Sequence, residues 1–425
     1  MNRRHQRNKK SPNWRFLALV ISAAVIIPLI GLGINKAFFS KKNTEEPKPT
    51  ETVKKTTLSD LEGIKFIPPI QPNYTLKPAE NQPQIKGGEK ILPKPGKLPV
   101  PELLPIEDKS VLTYNVTTEP TFKESTELQG IVDEILKYAK SQKMPVDSVS
   151  ITLINVKNKT IGGYQKDELR FPASVVKMFW MVMLYGQIEK GMWKEEVWKP
   201  HLKEMLGKSD NNATHYIIEF MTQTNSSLEK LPDQEFEIWK KRRETINTFF
   251  REGGYKDINI DQKAFPITYL DIREPLGTDL QMRGDDPEKN PIRNKISSYQ
   301  SARLMYEIVT HQAISKKSSE KMIKLLTRNT NSEYWKKQPP NPIDFNPVES
   351  FFGESIAGKD QFLSKAGWTS KVRNETAFIK SADGKTEYIL SVFADNKDYA
   401  GSKKIFPGIS RIVDSKMRKL KPEAE

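Results

Sequence analysis

The rhythm of apolar and polar positions changes along this chain, and each change marks an element. From Phe16 to Ile34 no residue is charged, and about 20 apolar residues at ~1.5 Å each match the hydrocarbon thickness of a bilayer. Further on, Leu128, Ile131, Val132, Ile135, Leu136 and Ala139 recur every third or fourth position, which predicts one face of an amphipathic helix. Val149 to Val156 alternates and passes through Lys157-Asn158-Lys159 into a second short strand ending at Tyr164, the pattern of a hairpin. From 174 to about 345 the reading is mostly helical, with Met178, Phe179, Met181, Val182 and Leu184 in one helix and Ser301 to Thr310 in another. Strand signals return at 361–369, 375–381 and 386–394, with Asp383-Gly384 as a tight turn between the last two, and 403–419 closes as a basic helix. The fold class expected is therefore α/β, of the α+β sandwich kind. An antiparallel sheet is built from both chain ends and flanked by helices, with an all-helical subdomain inserted in its middle.

Composition adds a long approach to that domain. Twelve of the 29 prolines fall between Pro47 and Pro105, and such a stretch cannot hold regular helix. It reads as a semi-extended spacer, interrupted by two apolar patches, Ile64-Lys65-Phe66-Ile67 and Leu98-Pro99-Val100, that are suited to docking on the domain that follows. The expected organisation is a basic tail over 1–15, a transmembrane anchor over 16–34, a Pro-rich linker over 35–120 and a folded domain over 121–425. Arg3, Arg4, Arg7, Lys9, Lys10 and Arg15 precede the apolar run and Lys36, Lys41 and Lys42 follow it. That bias leaves the N-terminus in the cytoplasm and the rest outside. An uncleaved single-pass anchor in the inner membrane is preferred to a cleaved signal peptide, because Asn35-Lys36-Ala37-Phe38-Phe39 makes a poor cleavage site.

The formal charge of +15 would suggest nucleic acid, yet those nine basic residues stand in a region without a single acid, so much of the basicity is a terminal tag. No phosphate loop, zinc spacing or aromatic RNA-binding pattern accompanies it, and no nucleic-acid partner, metal or cofactor is expected. The absence of cysteine excludes thiol catalysis and disulfides and fits an exported bacterial protein.

Three short motifs carry the chemistry: Ser174-Val-Val-Lys177, Ser209-Asp210-Asn211 and Lys365-Ala366-Gly367. Ser-x-x-Lys also occurs at Ser227-Lys230 and Ser318-Lys321, but in charged, polar sequence. Ser174 differs because Phe171-Pro172-Ala173 leads into it and an apolar helix starts at once, placing its hydroxyl at a helix N-terminus where developing negative charge is favoured. Lys177 lies one turn on, on the same face. A serine hydroxyl needs a base at neutral pH, and an amine in a poorly solvated pocket can be one. Ser209-Asp210-Asn211 enters a helix, and Lys365 sits on a strand whose Gly367 permits close backbone approach. Taken singly, each is as well read as a helix cap or a solvated lysine; their order, each in the setting the chemistry requires, points to serine acyl transfer.

From about Ser125 onward the chain resembles the class A β-lactamase and penicillin-binding-protein superfamily, whose signature is this series of triplets. The resemblance implies a β-lactamase/transpeptidase-like fold, Ser174 as acylated nucleophile and Lys177 as its proton acceptor. It also implies Ser209 as proton relay, Asn211 on the substrate amide, Lys365 on a substrate carboxylate, and the N–H groups of Ser174 and Trp368 as oxyanion donors. Two departures stand out. Ala366 lacks the family's hydroxyl in the third triplet, for which Thr369 or Ser370 could substitute. Asp257 to Pro266, where a deacylating glutamate is expected, holds none, which leaves Glu274 as the remaining candidate, with a structural salt bridge as its other reading. The function implied is a membrane-anchored serine hydrolase of β-lactam amides, with a peptidoglycan D-Ala-D-Ala carboxypeptidase or transpeptidase, and a weakly catalytic sensor of penicillin or wall peptide, as alternatives. Its partners would be a β-lactam or stem peptide and the membrane, and the protein would be a monomer. His201, His215 and His311 have no acidic partner at a recognisable spacing and are expected as satisfied structural residues. Trp193 and Trp198 are expected to pack. The charged stretch 223–243 is expected as a solvated excursion on one rim, and 329–354 on another.

Overall fold

The computed structural model describes residues 112–337 and 345–420. The run 16–34, the patches at 64–67 and 98–100, and most of the Pro-rich segment lie outside them. Among the described residues no helix is long and apolar enough to cross a membrane.

The chain opens with β1 (Lys123–Glu124), α1 (Thr126–Ser141), β2 (Val149–Asn155) and β3 (Thr160–Tyr164). A helical block follows: α2 (Lys177–Glu189), α3 (Glu195–Gly207), α4 (Asn211–Thr222), α5 (Asp233–Glu252), α6 (Gly277–Gln281), α7 (Ser298–Val309), α8 (Lys316–Leu326) and α9 (Ser332–Trp335). The chain then returns to the sheet through β4 (Gln361–Trp368), β5 (Arg373–Lys380) and β6 (Glu387–Ala394), and ends on α10 (Lys397–Gly401) and α11 (Ile405–Met417). The six strands lie in the order β1-β3-β2-β6-β5-β4, antiparallel except for the short β1–β3 pair. The sheet is thus assembled from both chain ends around a helical insertion, as the sequence pattern implied.

Alternation along the strands sorts side chains into two cores. Ile154, Leu363, Phe378, Ile389 and Phe393 face the helical block, whereas Val149, Ile151, Leu153, Phe362, Ala366, Ala377 and Leu390 face α1 and α11. Both faces are covered, so the strands read almost continuously apolar. α2 is buried from Lys177 to Gln187; a helix apolar on every side belongs in the middle of a core, and this one sets the nucleophile at its head. Local signals agree with the packing. Ser125 caps α1 by accepting from Leu128 N at 3.2 Å, Ser297 and Gln300 form a capping box on α7, and Gly384, at φ +68°, turns β5 into β6.

Two expectations are corrected. The fold does not begin at 121. Leu112, Tyr114 and Val116 pack on the helical core. Tyr114 is fully buried, its N–H donates to Phe249 O at 3.0 Å, and its hydroxyl donates to Glu307 Oε2 at 2.7 Å. The alternation Leu112-Thr-Tyr114-Asn-Val116 is the signal that a prolonged linker reading passes over. The stretch 223–243 is likewise no solvated excursion throughout. It runs into α5, whose Trp239 and Arg243 are buried, with Arg243 Nη1 on Asp279 Oδ1 at 3.0 Å. Trp193 and Trp198 do pack, ring to edge at 5.6 Å.

Removing the Tyr114 ring and its bond to a buried carboxyl is expected to cost about 3–5 kcal/mol. Urea unfolding of the full chain and its Tyr114→Ala variant measures this; a loss below ~1 kcal/mol would mean that the strap only rests on the surface.

Candidate active site

The head of α2 is a short 3-10 turn, Ala173–Val176, in which Val175 N donates to Pro172 O at 3.1 Å. Ala173 has φ +46°, the left-handed region that a residue with a Cβ occupies at a cost of roughly 1–3 kcal/mol. This strain is held from two sides. Asn374 Nδ2 on β5 donates to Phe171 O at 2.8 Å, and the backbone of β4 presses on the turn at Gly367. A Cβ at Gly367 would stand 2.6 Å from Pro172 O and 2.8 Å from Ser174 N, so only glycine allows the strand edge to lie beside the serine.

Lys177 begins α2 one turn beyond Ser174. It is fully buried, and its Nζ donates to Ser209 O at 2.6 Å and Asn211 Oδ1 at 2.7 Å, with Ser209 Oγ at 3.4 Å. Burial pulls its pKa down to about 7, opposed by the charge of Asp210. From β4, Lys365 reaches the same hydroxyl: its Nζ lies 3.0 Å from Ser209 Oγ and 2.7 Å from Ala366 O. Burial first, then the neighbouring Lys177 and Arg328 cations, hold Lys365 well below the usual lysine range, while Glu375 pulls the other way. Ser209, at φ +57°, is turned between the two amines by Asp210, which caps α4 by accepting from Ala213 N at 2.6 Å.

The structure therefore brings Ser209, Lys177, Asn211 and Lys365 into direct contact, and Gly367 onto the Ser174 turn. Such a group can take a proton from a serine and pass one to a leaving nitrogen, because burial draws both amines below the usual lysine range, Lys177 to about 7. Other sequence-derived candidates lie apart. Glu274 is exposed; its charge is felt by Arg283 and not among those acting on Lys177. Its carboxylate forms no ion pair with a described residue, so the salt-bridge reading is not realised either. Trp368 turns its ring away from Lys365, as strand alternation requires, and Nε1 donates to Ala400 O at 2.9 Å. Thr369 Oγ1 accepts from Lys371 N at 3.1 Å and Val372 N at 3.2 Å, and so serves the β4–β5 turn. Ala366 is buried in the core on the α1 and α11 face, opposite to Lys365.

Three features went unnoticed in the sequence. Phe345 places its ring 5.8 Å from Lys365 Nζ, so the 329–354 stretch does reach the site. Arg328 bridges the segments that carry the second and third motifs, through Leu206 O and Ser364 O. Finally, His215 does have an acidic partner: Glu219 Oε2 lies 3.4 Å from its Nε2, one helical turn along α4. The spacing of four was the available signal. Lys263 joins them, with Nζ 2.6 Å from Glu219 Oε1 and 2.9 Å from His215 Nδ1, and Asp279 Oδ2 stands 3.5 Å away. Burial drives His215 down to about 4, so the ring is neutral and the hub balances two carboxylates against Lys263 and Arg243. Both ends of the segment 263–279 are fixed in this hub, and Thr268 N donates to Asn212 Oδ1 at 2.8 Å, which pins its middle to the head of α4.

Because Gly367 lacks a Cβ where the serine turn passes, Gly367→Ala should slow modification of Ser174 by roughly 100-fold while the chain stays folded. Labelling by an acylating probe, followed by intact mass, measures it; wild-type labelling in that variant would mean the turn yields without consequence.

With the geometry in place, comparison adds the family. Residues 194–416 match the family described as Beta-lactamase enzyme family, which is more than half of the chain. No curated protein matches. Among solved structures, the chain is similar to the β-lactamase from Sphaerobacter thermophilus DSM 20745, with 17% identity and a TM-score of 0.45 over 69% of this chain and 98% of that one. It is similar also to PBP-A, with 15% identity and a TM-score of 0.47 over 71% of this chain and 100% of that one. A β-lactamase from Chitinophaga pinensis DSM 2588 has 13% identity and a TM-score of 0.47 over 67% of this chain and 99% of that one. The family match starts beyond Ser174 and Lys177 but includes the second and third motifs with the helices and strands that carry them: this chain belongs to the β-lactamase enzyme family.

Proposed function

We propose that the protein forms an acyl-enzyme on Ser174 with amides of the β-lactam or D-Ala-D-Ala type and releases the acyl group slowly. The observation that carries this reading is the Ser209 hydroxyl held within reach of two buried lysines, one of them a single turn from Ser174. Neutral Lys177 takes the Ser174 proton as Oγ attacks the amide carbon. The N–H groups of Ser174 and Trp368 hold the oxyanion, where such donors are worth about 2.7–4 kcal/mol each. Ser209 passes a proton to the departing nitrogen and is reprotonated from the lysine pair, while Asn211 Nδ2 meets the substrate amide and Lys365 its carboxylate.

Slow release is favoured by the surroundings of Lys177, which among the described residues bonds to a carbonyl, an amide and a hydroxyl but to no glutamate. A penicillin-binding or DD-peptidase role is supported over rapid β-lactam hydrolysis on that ground. The apolar run 16–34 with its basic flank supports an anchor holding the domain outside the cytoplasmic membrane.

Intact-mass measurement of the full chain with a penicillin, with Ser174→Ala as control, tests this directly. A persistent adduct on Ser174 is expected. An adduct that decays with opened drug in solution would make the protein a β-lactamase, and absence of any adduct would overturn the acyl-enzyme reading. The rate of adduct formation should also depend on pH. Lys177 acts as a base when neutral, so the rate is expected to fall about tenfold per unit below its pKa of about 7 and to level off above it. A rate independent of pH between 5 and 8 would exclude Lys177 as the base.

A further inference from the structure

Arg328 follows α8 and lies against the outer edge of β4, its backbone N–H donating to Phe362 O at 2.8 Å. Its Nη2 donates at once to Leu206 O at 2.8 Å and to Ser364 O at 3.0 Å. Leu206 belongs to the last turn of α3, three residues before Ser209, and Ser364 directly precedes Lys365. One carbonyl is a helix-end acceptor without an intrahelical partner. The other belongs to the sheet's edge strand, on the side without a neighbouring strand. A single nitrogen thus joins the two segments that present Ser209 and Lys365, although they stand 156 residues apart and meet at 3.0 Å.

We propose that Arg328 is a positioning residue for the acyl transfer inferred above: it clamps the Ser209 loop to the Lys365 strand and so sets the contact through which a proton reaches the leaving group. The proposal rests on that reading for the reaction, but not for the clamp itself. Arg328 also brings a fixed positive charge to the back of the site. Facing Lys365 are Lys177 from α2, Ser209 from the loop before α4, the ring of Phe345, Arg328 after α8 and Glu375 from β5. Glu375 is the carboxylate that acts on Arg328 in turn. Burial draws Arg328 down to about 10, so it remains cationic at neutral pH, and burial raises Glu375 to about 8, which weakens the carboxylate's hold on that cation. Taking the guanidinium away removes a repulsion from Lys365, whose proton affinity must then rise.

The test uses the full chain with Arg328→Gln and Arg328→Lys, and two readouts. Acylation by a penicillin, followed by intact mass, should slow roughly 100-fold in Arg328→Gln, the scale of an ångström-sized misplacement, and less in Arg328→Lys, which keeps the charge but lacks the rigid fork. Titration of the Lys365 ε-carbon by NMR of 13C-labelled lysine, assigned with Lys365→Met, should move to higher pH in Arg328→Gln and stay near wild type in Arg328→Lys. If Arg328→Gln does not fold, slower acylation with an unmoved Lys365 titration in Arg328→Lys still supports the clamp. Wild-type acylation in either folded variant, or an unmoved titration in folded Arg328→Gln, overturns it. A wild-type chain that takes no acyl group would defeat the acyl-enzyme reading instead, and the lysine titration would then decide the role of Arg328 alone.

Discussion

Two lysines buried within reach of one serine hydroxyl form the constraint around which this molecule is arranged. In water two ammonium groups at that separation would repel and hydrate; here Lys177 and Lys365 are fully buried, and desolvation draws both down. Neither can escape. Lys177 is rooted at the head of a helix with no solvent-facing side, and Lys365 on a strand covered on both faces. A buried amine that is poorly charged is an unfavourable way to stabilise a fold and a useful way to hold a base. Its cost must be offset by packing elsewhere, chiefly by the two apolar cores that close on opposite faces of the sheet.

The same economy of contact explains why backbone features gather around the serines. Ala173 and Ser209 both occupy the left-handed region, one immediately before the nucleophile and the other at the relay. Each turn is fixed by groups from another part of the chain: Asn374 and Gly367 for the first, Lys177 and Lys365 for the second. Positions that are locally unfavourable are thus kept by tertiary contacts, and the β4 edge contributes to both.

Much of this was legible in the sequence because the signals were local. Strand alternation gave the hairpin at 149–164 and the three strands at the C-terminal end. The three motifs, in their order, gave the residues that meet. What escaped depended on direction or on distance. Alternation on β4 places Lys365 and Gly367 toward the serine and turns Ala366 and Trp368 away, so Ala366 bears on the opposite core more than on a missing hydroxyl. Thr369 is committed to its own turn. Arg328 lies 36 and 122 residues from the carbonyls it joins, and no periodicity announces such a bond. His215 and Glu219 were the exception, a four-residue spacing in plain view whose third member, Lys263, comes from a separate loop.

Tyr114 carries a mechanical consequence. The strap 112–116 is fixed by the Tyr114 ring and its backbone bond to Phe249 O, by the packing of Leu112 and Val116, and by the Asn115 bonds to Gln312 O and Ile314 N. A pull arriving from the N-terminal side is therefore received by α5, α7 and the turn after α7. It would have to draw an aromatic ring out of a cluster of Phe249, Phe250 and Tyr255 before it loaded β1 or the rest of the sheet. The strained serine turn is fixed by other groups, Asn374 and Gly367, so a pull on the strap is met by packed aromatic rings before it bears on the residues that hold that turn.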